Sequence, residues 1–208
     1  MMHLYVITPE TFPEGEADVI AALLRGGIDR VHLRKPHSRE EEMRRLLEVI
    51  PADLHRRLTL QDHLRLASEY GVGGVHLNSR NPQPPAGFDG LVSRSCHTLD
   101  EVAADRTSDY LFLSPIFDSI SKEGYRSAFT PATLREAAAR GLLGERVAAL
   151  GGVRPELLPT LRDLGFGGAA LLGCIWRDVS SAGLRETLQR IQQYNSCLLY
   201  TSPSPRDS

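Results

Sequence analysis

Eight short apolar runs recur along the chain, each separated from the next by a stretch with helical spacing. They are His3–Thr8, Arg30–Arg34, Leu58–Gln61, Gly74–Leu77, Leu91–Ser95, Tyr110–Ser114, Val147–Leu150 and Gly168–Leu172. The helical stretches are Glu16–Arg25, Arg39–Ile50, Leu64–Tyr70, Asp100–Ala104, Ala132–Arg140, Pro155–Leu164 and Leu184–Tyr194. Strands alternating with helices bury both faces of a parallel sheet. Eight such units in 208 residues predict a single (β/α)8 TIM barrel, an α/β fold. An open doubly wound sheet is the alternative, but it usually needs fewer strands. One unit departs from the pattern. Asn81-Pro82-Gln83-Pro84-Pro85-Ala86-Gly87 follows the fourth strand and is too rich in proline for a helix, so the fourth helix is expected to be reduced.

Helix starts are marked at several places. Ser38 with Glu41 and Thr98 with Glu101 have capping-box spacing, and Pro131 and Pro155 stand where a first turn tolerates them. The barrel is assigned to residues 1–196. Residues 197–208, with Pro203, Pro205 and several serines, are set aside as a disordered or artefactual tail, because such composition cannot join a packed core.

Composition narrows the function classes. With 41% hydrophobic residues the chain can bury a full core. Its 24 basic against 26 acidic residues leave no excess to neutralise a phosphate backbone, so no nucleic acid partner is expected. No apolar run approaches a membrane span, and no signal peptide is visible, so no membrane association is expected. Three cysteines, Cys96, Cys174 and Cys197, match no zinc pattern, and an odd number fits a reduced, cytoplasmic enzyme.

Polar residues that are costly to bury gather at the C-terminal ends of the strands, where barrels of this kind carry their sites. His32 and Arg34 share one face of strand two, with Lys35 on the other. Strand three ends in Gln61-Asp62-His63, strand four carries His76 and Asn78, and strand five ends with Ser93, Ser95 and His97 on one face. Ser114 ends strand six, and the loop after it holds Ser119, Ser121 and Lys122. Any one of these has a structural or solvated reading. Five successive strands placing such groups at one end point to a shared site for an anionic ligand. Gly151-Gly152 after strand seven and Gly173 after strand eight add a phosphate cradle, since glycine lets backbone N–H groups approach oxygens closely.

In order along the chain, the motifs His32-Leu33-Arg34, Gln61-Asp62, Gly74-Val75-His76-Leu77, Ser95-Cys96-His97-Thr98, Ser114-Pro115-Ile116-Phe117, Ser121-Lys122 and Gly151-Gly152 resemble the thiamine phosphate synthase and TenI thiazole tautomerase family. The resemblance covers about Leu4 to Ile191. For the synthase it implies coupling of hydroxymethylpyrimidine diphosphate to thiazole phosphate, with release of diphosphate and with Mg²⁺ as cofactor. It implies Arg34 and Lys122 on the departing diphosphate, with Ser95, Ser119 and Ser121 on phosphate oxygens. It implies Asp62 as a Mg²⁺ ligand, with the second ligand position falling on Asn81. Gly151, Gly152 and Gly173 would take the thiazole phosphate, and His32 and Gln61 would line the substrate site. The partners implied are small phosphorylated pyrimidine and thiazole molecules, and a homo-oligomer is compatible with them. Several positions depart from the synthase pattern: His32 stands for a Gln, Pro36 for a Lys, Asn81 for an Asp and Gly173 for a Ser. The tautomerase branch is the alternative, with His97 moving the proton. A non-catalytic barrel that binds thiazole phosphate is the third reading.

Overall fold

The computed structural model describes residues 2–117 and 129–196. Among these, eight parallel strands close into a barrel in sequence order, β1 pairing with both β2 and β8. The strands are β1 (His3–Ile7), β2 (Arg30–Leu33), β3 (Leu58–Leu60), β4 (Gly74–Leu77), β5 (Leu91–Cys96), β6 (Tyr110–Leu113), β7 (Val147–Ala149) and β8 (Gly168–Leu171). The helices are α1 (Glu16–Arg25), α2 (Glu40–Val49), α3 (Leu66–Tyr70), α4 (Leu99–Ala104), α5 (Pro131–Ala139), α6 (Leu158–Asp163), α7 (Gly173–Trp176) and α8 (Ser181–Asn195). As expected from its prolines, the segment between β4 and β5 forms no helix. No helix among the described residues is long and apolar enough to cross a membrane.

Alternation along each strand splits the molecule into two cores. Outward residues such as Leu4, Val6, Val31, Leu33, Leu111 and Leu113 pack under the helices, against Ile20, Leu23 and Leu24 of α1 and Met43 and Leu47 of α2. Inward residues Tyr5, Ile7, Tyr110, Phe112, Ala148 and Ala170 fill the barrel. Aromatic and small side chains divide that space. Tyr5 stacks on Tyr110 with ring centroids 4.8 Å apart. Gly168 makes room for them, because a Cβ there would stand 2.9 Å from Cε2 of Tyr5.

Four local expectations change. Ser38 does not cap α2; its hydroxyl donates to the Lys35 carbonyl at 2.8 Å and meets Nε2 of His63 at 2.9 Å. The helix starts one turn-position later, where the Glu42 carboxylate accepts the Arg39 N–H. A 3₁₀ turn over Ala52–Arg57 and the short helix α7 are additions. The expected helix from Pro155 divides into a 3₁₀ turn, Pro155–Leu157, and α6. Thr98 does cap α4, accepting the Glu101 N–H at 3.1 Å. The expected tail from Cys197 onward lies outside the described residues.

Candidate active site

The C-terminal ends of the strands surround a cavity of about 1810 Å³. It brings together Arg34, Gln61, Ser95, His97, Gly151, Gly152 and Gly173, as the sequence predicts. Ser119, Ser121 and Lys122 lie outside the described residues.

The floor is a layer of neutral polar groups. His32 is fully buried, with Nδ1 3.2 Å from Nε2 of Gln61 and Nε2 2.8 Å from the Tyr110 hydroxyl. A Gln61 amide donating to Nδ1 leaves the proton on Nε2, so His32 donates to Tyr110. Tyr110 then reaches Thr59 at 3.3 Å. His76 lies 5.4 Å from His32, centroid to centroid, and is held between Ser93 at 2.8 Å and Ser95 at 3.0 Å. Burial pushes His76 down to about 3, with Arg94 adding to the effect. Burial likewise drives His32 well below the ordinary histidine value, helped by His76 and Arg30. Two neutral imidazoles therefore orient Gln61 and Ser95 from below. His32 is expected to bind substrate, but it is fully buried beneath Gln61. Its contact with the cavity lining is through that amide.

On the β2–β4 side, cations and carboxylates are paired. Arg34 reaches Glu10 at 2.5 Å, both partly exposed. Lys35 turns to the opposite face and is fully buried. Its Nζ donates to Glu16 at 2.6 Å, to the Pro9 carbonyl at 2.9 Å and to the Thr11 carbonyl. It thus ties the loop after β1 to the start of α1. Burial lowers the Lys35 ammonium and raises the Glu16 carboxyl, and each partly offsets the other. Asp62 is buried, its Oδ2 accepting the Lys35 N–H at 3.0 Å and its Oδ1 accepting Nη2 of Arg80 at 2.7 Å. Asn81 donates from Nδ2 to the Gln61 carbonyl at 3.2 Å. Of the expected metal pair, Asp62 thus has both oxygens engaged by protein donors, and Asn81 is neutral and turns its amide N–H to a carbonyl.

On the β5–β6 side His97 places Nδ1 3.1 Å from the Ser114 carbonyl. A carbonyl only accepts, so Nδ1 carries the proton and Nε2 is left as an acceptor. The backbone N–H of His97 is held by Glu101 at 2.6 Å. Cys174 lines the same cavity, but burial pushes its thiol up to about 11, which keeps it un-ionised at neutral pH and a poor nucleophile.

The β7–β8 side is built from backbone. Gly151 and Gly152 have φ of +97° and +64°, a left-handed pair that turns the chain straight out of β7. A Cβ on Gly151 would stand 3.0 Å from Cα of Pro115, so the loop after β6 packs directly on it. Gly173 opens α7 just after β8, where a Cβ would meet nothing within 4 Å. Trp176 donates from Nε1 to the Ile7 carbonyl at 2.8 Å, which fixes α7 against the end of β1.

Sequence reading missed Arg80 altogether, along with Tyr110 as the partner of His32. Arg80 gave no strand signal, since it lies past the end of β4 in the turn closed by Asn78 and Asn81, where alternation no longer reports direction. Glu10 gave no signal, because it lies in the loop after β1 and meets Arg34 only once β1 and β2 pair side by side.

Residues 4–175 match the family described as thiamine monophosphate synthase. The thiamine-phosphate synthase of Rhodospirillum centenum is 30% identical over 186 residues, covering 83% of this chain and 88% of the relative. That of Shouchella clausii is 31% identical over 145 residues, covering 64% and 69%. The crystal structure of thiamine phosphate pyrophosphorylase from Bacteroides thetaiotaomicron superposes with a TM-score of 0.84 at 36% identity, covering 93% of this chain and 97% of that one.

Proposed function

The chain belongs to the thiamine monophosphate synthase family, and on that premise we propose that it is a thiamine phosphate synthase, a transferase acting on a pyrimidine diphosphate and a thiazole phosphate. The observation that carries this reading is the two-sided mouth. Arg34 and Arg80 stand on the β2–β4 side, and the Gly151-Gly152 and Gly173 loops stand opposite, on one cavity. Two phosphorylated substrates need two separate anion sites. Guanidinium groups suit the more highly charged diphosphate, and backbone N–H groups at glycines suit a monophosphate.

In the reaction, the bond between the pyrimidine's methylene carbon and the diphosphate oxygen breaks, and its electron pair leaves with diphosphate. The thiazole nitrogen forms the new bond to that carbon. Charge grows on the leaving oxygens, so Arg34 and Arg80 contribute most as it departs. Ser95, positioned by His76, and Gln61, positioned by His32, border the space between the two sites. The Mg²⁺ implied by the resemblance does not fit the donors present, because both oxygens of Asp62 already accept protein donors and Asn81 brings no charge. Incubating the purified protein with both substrates should yield thiamine phosphate and diphosphate in equal amounts. If neither forms, with or without Mg²⁺, the synthase reading fails.

One observation favours a thiazole tautomerase as the second reading. With Nδ1 held by Ser114, His97 has Nε2 available for proton transfer beside the cavity. Under that reading His97→Gln abolishes proton exchange on the thiazole; under the synthase reading it leaves coupling largely intact.

A further inference from the structure

Mg²⁺ takes near-octahedral oxygen ligands and is usually held through one or two carboxylates. The end of β3 offers one carboxylate, Asp62, and both of its oxygens are taken. Oδ2 accepts the Lys35 N–H at 3.0 Å, and Oδ1 accepts Arg80 Nη2 at 2.7 Å and Nε at 3.3 Å. Asn81 brings no charge and turns its Nδ2 to the Gln61 carbonyl. No group of three or more His, Cys, Asp or Glu is placed to hold a metal ion among the described residues.

Arg80 reaches this position through the turn after β4. Oδ1 of Asn78 accepts the N–H groups of Arg80 at 2.9 Å and of Asn81 at 3.0 Å. The Asn78 amide donates to the Gln61 carbonyl at 2.7 Å, which fastens the turn to the end of β3. Asp62 is 7% exposed at its side chain and Arg80 is 50% exposed, so the pair has a buried anchor and an open end. A guanidinium carries five N–H groups. Asp62 engages those on Nε and Nη2, and the remaining ones have no protein partner among the described residues on a side chain that lines the cavity. A planar cation held this way is suited to paired contacts with phosphate oxygens.

We infer that Arg80, anchored on Asp62, supplies the positive charge that a divalent cation would otherwise bring to this mouth, so that a diphosphate is held there by Arg80 and Arg34 without a metal ion. The identity of the diphosphate as a substrate group rests on the synthase reading; the metal-free anion site does not.

Calorimetric titration of inorganic diphosphate into the full chain, in EDTA and in excess Mg²⁺, tests this, with Mn²⁺ binding to the free protein followed by electron paramagnetic resonance. Diphosphate should bind in EDTA at least as tightly as with Mg²⁺, and Mn²⁺ should remain free. Arg80→Gln should weaken binding in EDTA by about 10- to 100-fold, the range of a charge-assisted contact. Arg80→Lys, which keeps a cation beside the buried carboxylate, should retain part of the affinity and serves if Arg80→Gln does not fold. In R80Q/N81D, Mn²⁺ should bind and diphosphate binding should become metal-dependent. Diphosphate binding that needs Mg²⁺ in the wild type, Mn²⁺ binding that Asp62→Asn removes, or unchanged affinity in both Arg80 variants would overturn the inference. Coupling of the two substrates in EDTA separates the two claims. Turnover with Mg²⁺ alone overturns the metal-free site and spares the synthase reading. Absent turnover with metal-free diphosphate binding intact overturns the synthase reading and supports Arg80.

Discussion

The two sides of the mouth are built by different means, long cationic side chains on one and backbone turns on the other. On the β2–β4 side the donors are long cationic side chains, each resting on a carboxylate: Arg34 on Glu10, Arg80 on Asp62, and, below the surface, Lys35 on Glu16. On the β7–β8 side the lining is backbone, with Gly151 and Gly152 in a left-handed pair against Pro115 and Gly173 at the start of α7. The first side can be retuned by changing one charge, and a ligand there competes with carboxylates already present. The second side depends on shape, and any Cβ in the wrong place closes it. Under the proposed synthase reading, the leaving group would meet adjustable charge and the retained phosphate fixed geometry.

Four experiments would break or sharpen that contrast. The largest effect is expected below the surface of the charged side. Lys35→Met strands Glu16 as a buried unpaired carboxylate, and should cost about 3–5 kcal/mol in denaturant unfolding. Pairing it with Glu16→Leu should restore most of the loss. A cost under about 1 kcal/mol would place Lys35 among the exposed, weakly coupled pairs. Arg34→Ala, by contrast, should leave stability within about 1 kcal/mol, because its partner is half-exposed, yet slow coupling by roughly 10²-fold. Equal turnover at saturating substrate would remove Arg34 from the leaving-group site.

The backbone side should respond to bulk rather than charge. Gly151→Ala combines a left-handed φ with a 3.0 Å approach to Pro115, and should lose about 2 kcal/mol of stability and much of the affinity for thiazole phosphate. Gly173→Ala meets nothing and should fold normally, so its thiazole-phosphate affinity reports how closely the ligand approaches that loop. If both variants bind the ligand as the wild type does, the glycine loops are only turns.

Acid should act on the floor beneath both sides at once. His76 is held down to about 3 by burial, so in the unfolded chain it takes up a proton near its ordinary value of 6.5 and in the folded chain it does not. Its contribution to stability is therefore complete above about pH 6.5 and is lost as pH falls towards 3, by up to about 1.4 kcal/mol per pH unit. His32 shifts in the same direction and steepens the fall. Unfolding free energies measured between pH 7 and 4 should decline, and His76→Gln should decline less steeply. Parallel curves would mean that His76 is not kept neutral by the fold.

Every strand and each long helix was legible in the sequence because burial on both faces of a closed parallel sheet leaves a plain signal, an apolar run with a helical stretch behind it. The reduced fourth unit was legible because proline lacks the N–H that a helix needs. Local pattern failed where a polar side chain had a better partner outside its own segment. Ser38 has capping spacing, yet it serves the Lys35 carbonyl and His63 instead. α7 was missed because four residues carry no period to read.

For the site, strand alternation by itself determined that Arg34 faces the mouth and Lys35 faces away, and it gathered His97, Ser95 and the glycine loops at one end of the barrel. Which of these polar groups is free to meet a ligand was decided by the tertiary structure. Register across the barrel sets His32 against Tyr110, 78 residues away in sequence, and turns an expected ligand into a buried support. The turn after β4 brings Arg80 to Asp62 and fills the position that sequence order assigned to a metal ion. Side-chain direction follows from period and is local. Charge compensation depends on which side chains meet in space, and the pairing of neighbouring strands brings Glu10 to Arg34, Glu16 to Lys35 and Asp62 to Arg80.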